Sequence, residues 1–175
     1  HGARVKKASV GVASTDGWAD LPPPAQPALD HPFSILITGV GGTGVVTIGA
    51  ILGMAAHLDG KASGIIDMAG MAQKGGAVVS HVRLAARADD IHAIRIAAGE
   101  ADLVLGADTV VTGGKTTLSA VRHGSTSMIV NTAEIMPGDF TRNADFRLPT
   151  ERLRKAILDA AGAAQVTFIN ATGIA

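Results

Sequence analysis

The sequence predicts an α/β domain of three layers, α/β/α, built on a mostly parallel but mixed sheet. From residue 34 onward, short β-branched apolar runs alternate with helical periods. The first of those runs ends in Gly39-Val40-Gly41-Gly42-Thr43-Gly44, a Rossmann-like glycine loop that opens a helix. One alternating strand follows its predecessor through a link too short for a crossover, so it is expected to run antiparallel.

Residues 1–32 read as a linker or tail from a preceding domain. Leu21-Pro22-Pro23-Pro24-Ala25-Gln26-Pro27 favours extended polyproline geometry and feeds neither sheet nor helix. Residues 33–175 then form the one domain, expected to be C-terminally truncated: the chain lacks an initial Met and stops where another helix could begin.

Ser34-Ile35-Leu36-Ile37-Thr38 is a buried strand. A helix follows over 45–58, with Val45, Ile48, Leu52 and Ala55 on its core face and Ile51 and Leu58 flanking it. Gly49 and Gly53 each cost this helix about 1 kcal/mol against alanine. Close approach to the sheet would compensate. Gly64-Ile65-Ile66-Asp67 is the second strand, and residues 68–76 a glycine- and methionine-rich loop. Over 77–85, Val78, Ser80, Val82 and Leu84 take one face, and Ala77, Val79, His81 and Arg83 the other. The second face carries cations and is expected to look at solvent, a partner or an anion. Strands at 102–106 and 127–131 bracket a helix from about 109 to 122, which Gly113-Gly114 weakens. Thr150 is placed as the N-cap of a helix whose stripe is Leu153, Ala156, Ile157 and Ala160, with Gly162 as its stop. Residues 166–170 form the last strand.

Composition narrows the chemistry. A chain of 175 residues, 47% hydrophobic and 17% charged, is long enough for one buried core. It has no cysteine, which excludes disulfides, iron–sulfur ligation and thiolate catalysis within it. Lys+Arg and Asp+Glu balance at 15 each, and aromatics are 3% with no tyrosine, so no nucleic-acid partner is expected. The longest apolar stretch, 44–56, is too short to span a bilayer, and nothing reads as a signal peptide, so no membrane partner and a cytoplasmic location are expected. The six histidines form no H-x-x-x-H pair, so no metal site is assigned.

Two loops carry the candidate site. In the first, Gly39, Gly41, Gly42, Thr43 and Gly44 let the backbone approach a phosphate at a helix N-terminus; the bland alternative is a turn used only for packing. In the second, Gln73, Lys74, Gly75 and Gly76 could close over an anion, with Lys74 as a mobile point charge; here the bland alternative is a solvated loop. Asp67 stands at a strand end, where a dinucleotide fold places its ribose-binding acid. Other matches fail. Gly113-Gly114-Lys115-Thr116 lacks the first glycine of a P-loop, and the Asn170-Ala171-Thr172 sequon is set aside as chance. Ser80 and His81 point to opposite faces, and His57 suits a helix C-terminus better than catalysis. No catalytic residue is assigned.

Taken together and in order, three motifs resemble the gamma-type domain of the 2-oxoacid:ferredoxin oxidoreductases. They are Ile37-Thr38-Gly39-Val40-Gly41-Gly42-Thr43-Gly44-Val45-Val46-Thr47, Asp67-Met68-Ala69-Gly70-Met71-Ala72-Gln73-Lys74-Gly75-Gly76, and Ser80-His81-Val82-Arg83. Residues 101–108 and Asn131-Thr132 also fit. The likeness is strongest to the fused bacterial indolepyruvate ferredoxin oxidoreductases. It implies a parent enzyme that decarboxylates an aryl pyruvate on thiamine diphosphate and Mg2+, passes electrons through [4Fe–4S] clusters to ferredoxin, and gives the acyl group to coenzyme A. It implies thiamine-binding and ferredoxin-like domains as partners in an oligomer, a contact with coenzyme A on this domain, and no activity from this stretch alone. Many members carry arginine where Lys74 stands. Two other readings stay open: a free-standing Rossmann-type dinucleotide-binding module, and a purely structural interface domain.

Overall fold

A computed structural model describes residues 29–70, 76–133 and 149–174. Most of the linker therefore lies outside the described residues. Six strands alternate with helices: β1 (Phe33–Val40), α1 (Val45–Leu58), β2 (Ala62–Ala69), β3 (Ala77–Ala85), β4 (Leu103–Gly106), α2 (Thr109–Thr112), α3 (Lys115–Ser119), β5 (Ser127–Asn131), α4 (Thr150–Ala161), β6 (Val166–Ile169) and α5 (Ala171–Ile174). The sheet order is β2-β3-β1-β4-β5-β6. β1, β4, β5 and β6 run parallel, and β3 is antiparallel to both of its neighbours, as its short link requires.

The layers follow from strand alternation. Ile35, Ile37 and Val82 face α1 and pack on Val45. Leu36, Val104, Met128 and Val130 face the other way and pack on Ile157 and Ala161 of α4. Glycine decides how closely α1 sits. A Cβ on Gly49 would lie 2.8 Å from Ser80 Oγ, and one on Gly53 2.5 Å from Ile65 Cδ1. The close approach offsets the helix cost of both glycines. It also shifts the buried stripe to Val45, Gly49, Gly53 and Ala56, leaving Ala55 exposed in place of its expected core position.

Three further expectations are corrected. The single helix expected over 109–122 is two short ones, because Gly113 ends α2 and Gly114 caps α3. The N-cap of α4 is Pro149, whose carbonyl accepts the first helical bond from Leu153 N at 3.0 Å, and Thr150 is the first helical residue. His81 does not face solvent. The segment 91–101, which has no periodic pattern, folds over its face; the Ile96 N–H donates to His81 Nδ1 at 3.2 Å and Arg83 pairs with Glu100 at 2.7 Å. Burial first, then the charges of Arg95 and Arg83, hold the His81 pKa below its ordinary value.

Candidate functional site

Each strand of the parallel half ends at one rim, and the glycine loop lies on it. The loop is built from backbone restrictions. A Cβ on Gly39 would strike Thr43 Oγ1, with Ala107 Cβ and Val45 Cγ2 each 2.9 Å away. Gly42 and Gly44 hold φ of 96° and 86°, the left-handed region that favours glycine. Thr43 closes the turn: its N–H and its hydroxyl both donate to the Val40 carbonyl, at 3.1 and 2.8 Å. The hydroxyl keeps only its lone pairs for any ligand.

Among the described residues, α1 starts at this turn with no side-chain cap, and it has no acid in its first turn. Its first internal bond runs from Ile48 N to Gly44 O, so the amides of Val45, Val46 and Thr47 have no intrahelical acceptor. A 14-residue helix with a bare N-terminus favours an anion there. The second loop meets the first at the same place. Gly41 N donates to Gly76 O at 2.8 Å, and Gly70 N to Ala77 O at 2.7 Å closes the second loop's base. Gly39, Gly41, Gly42, Thr43, Gly44 and Gly76 thus stand together on the rim. Gln73, Lys74 and Gly75 lie outside the described residues.

Beside the glycine loop is a crevice of about 430 Å³ between Thr43, Ile48, Gly106, Ile129, Asn131 and Thr172. It opens because α1 covers only the β2-β3-β1 half of its sheet face. Ile129 and Ile169, on the uncovered half, are 39% and 36% exposed. A mostly apolar crevice at the carboxyl ends of parallel strands is the usual ligand position of open α/β sheets.

Two side chains that sequence reasoning quoted but gave no role organise this rim. Asp108 is fully buried. Its Oδ2 accepts from Val40 N at 2.7 Å, and its Oδ1 from Val110 N and Val111 N at 2.7 and 2.8 Å. It caps α2 and ties the end of β1 to β4. The signal was an acid directly before a short helix. Asn131 donates to Ala107 O and Thr172 Oγ1, each at 3.1 Å, and accepts from Ala133 N and Ala171 N at 3.2 and 3.1 Å. It fixes the far wall of the crevice, and no local pattern foretold that. Asp67 stands apart. β3 lies between β1 and β2, so Asp67 sits on the sheet edge and does not line the crevice. A ribose-binding acid needs its strand beside β1, and that arrangement is absent.

Fold and rim together define a three-layer α/β domain with a mixed sheet and paired glycine loops. The chain belongs to the pyruvate ferredoxin/flavodoxin oxidoreductase family, whose model matches residues 34–175. It is 30% identical over 148 residues to the indolepyruvate oxidoreductase subunit IorB of Methanothermobacter thermautotrophicus, covering 82% of this chain and 68% of that one. It is 36% identical over 78 residues to the same-named subunit of Pyrococcus horikoshii, covering 45% of this chain and 37% of that relative. The chain therefore matches little more than a third of the Pyrococcus subunit. Among solved structures, pyruvate oxidoreductase subunit PORC of Thermotoga maritima superposes with a TM-score of 0.55 at 19% identity, over 82% of this chain and 65% of that one. That likeness confirms the fold class.

Proposed function

We propose that this chain is the gamma-type component of a 2-oxoacid:ferredoxin oxidoreductase acting on aryl pyruvates such as indolepyruvate. Its role is support. It supplies no cysteine for clusters, and the described residues hold no group of three or more metal-ligating side chains. Thiamine diphosphate, Mg2+ and [4Fe–4S] clusters belong to thiamine-binding and ferredoxin-like domains of the same enzyme, with ferredoxin as electron acceptor. Bound there, they supply decarboxylation and electron transfer.

This chain's own residues fit a phosphate-rich ligand, and coenzyme A is the one proposed. The observation that carries this is the Gly41–Gly76 hydrogen bond, which brings both glycine loops to the bare N-terminus of α1. The amides of Val45, Val46 and Thr47 would face phosphate oxygens, and Lys74 would add a charge from the second loop. The apolar crevice beside them would exclude water from the ligand's less polar arm. Among the described residues, no helix is long and apolar enough to cross a membrane; the enzyme is proposed to act in the cytoplasm.

The test is dye reduction by the full parent protein under anaerobic conditions, with thiamine diphosphate and coenzyme A, comparing indolepyruvate with pyruvate. Reduction with indolepyruvate that depends on coenzyme A is expected. Lys74→Ala should raise the coenzyme A requirement roughly tenfold or more, the loss of one charge-assisted contact. No reduction with either acid, in protein loaded with iron and thiamine, would overturn the assignment.

A specific observation favours a second reading, the interface domain. The outward stripe of α1 exposes Ile51, Met54 and Leu58 by 61%, 59% and 79%. Coenzyme A dependence untouched by any change on the rim would favour that reading.

A further inference from the structure

We propose that the free edge of β2 pairs with β2 of a second copy of this chain, about a two-fold axis normal to the sheet at Gly64. The idea does not rest on the enzyme reading. β2 is an edge strand of eight residues without proline, bonded among the described residues only to β3. A long edge of this kind is a template for another strand.

A two-fold axis normal to the sheet keeps each face continuous, so residues of like parity meet across the seam. Charge then selects the register. Lys61 immediately precedes β2 and Asp67 is the sixth of its eight residues; carried one residue before the strand, alternation puts both on the α1 face. Asp67 has no ion pair among the described residues, and Lys61 reaches only the exposed Asp59. With Gly64 opposite itself, Lys61 of each copy stands opposite the partner copy's Asp67. Ala62 then meets Ile66, and Ser63 meets Ile65. Adjacent registers lose both charge pairs.

The two layers flanking this seam fit the same axis. α1 rests on β2 and β3 through Gly53 and Gly49. With strands about 4.8 Å apart, two such helices would stand roughly 10 Å apart, at helix-packing distance. By helical spacing, Val46, Ala50, Gly53 and His57 share the flank toward β2; Ala50 and Gly53 are small enough to allow the approach, with the exposed His57 beside them. Val46 is 48% exposed. On the other face Ile94 lies over Gly64, its Cγ1 3.0 Å from where a Cβ would be, beside exposed Ile66. Stable interfaces bury roughly 1,000 Å², more than one strand seam alone provides, so these flanking contacts are needed.

The chain lacks cysteine, so introduced thiols report cleanly. Sedimentation of the 175-residue chain should give a dimer at about 100 μM. Ala62→Cys with Ile66→Cys should yield a covalent dimer with a short bismaleimide, and Ala62→Cys alone should not. Asp67→Lys should weaken association about tenfold or more, and adding Lys61→Asp should restore it. A monomer at that concentration would overturn the proposal. So would a dimer whose double-cysteine form fails to cross-link, or one indifferent to the charge swap; either would point to another surface or another occupant of this edge.

Discussion

Replacing Asp108 by alanine isolates the group that holds the rim together. The carboxylate accepts three backbone N–H bonds, two at the start of α2 and one from Val40. Losing an N-cap costs about 1 kcal/mol. Leaving the buried Val40 N–H without an acceptor adds about 1–3 kcal/mol. The expected loss is therefore about 2–4 kcal/mol. At a urea slope of about 2 kcal/mol per molar, the midpoint should fall by roughly 1–2 M at constant slope. Asp108→Asn keeps one oxygen on the cap and turns its amide nitrogen toward Val40 N–H. It should lose about 1–2 kcal/mol, since one donor is orphaned and the others are kept. Equilibrium unfolding followed by circular dichroism measures both. A loss under about 1 kcal/mol for Asp108→Ala would mean that water replaces the carboxylate, and would refute the reading of buried Asp108 as the group that holds this rim.

Two more predictions concern the packed faces. Among the described residues Ser80 Oγ is buried without a hydrogen-bond partner, so Ser80→Ala should leave stability unchanged or raise it by up to about 1 kcal/mol. Gly49→Ala should destabilise in the parent, where its Cβ meets that hydroxyl, and become neutral or stabilising once Ser80 is alanine; a double-mutant cycle with no coupling would remove the close-approach argument. His81 gives a pH signature. Its folded pKa lies below the ordinary value, so its contribution is fully present above about pH 6.5 and is lost as pH falls toward the folded pKa. Urea midpoints at about pH 7.5 and 5.5 should differ less in His81→Gln than in the parent, and equal differences would count against this assignment.

The sequence made the sheet legible because its strands are short β-branched runs and its one antiparallel member alternates cleanly. Local pattern told which residues of β3 share a face but not what covers that face. The cover over His81 is an irregular segment with no period to read. The same limit hid Asn131, whose partners at Ala107 and Ala171 are distant along the chain. Gly113-Gly114 was visible as a weakness, yet only the folded chain shows it splitting one helix into two. Asp67 misled because position at a strand end does not reveal strand order. The glycine loop was readable because left-handed φ and close contact leave glycine alone at those places.

The Gly41–Gly76 bond has a further consequence. The Gly41 hydrogen lies between two loops that different parts of the chain control. It can exchange with deuterium only when those loops separate. The lifetime of that one hydrogen is therefore a clock for the opening of the rim, readable without any ligand. A molecule that bridges the loops would slow the clock, and one that binds elsewhere would leave it running at its own rate.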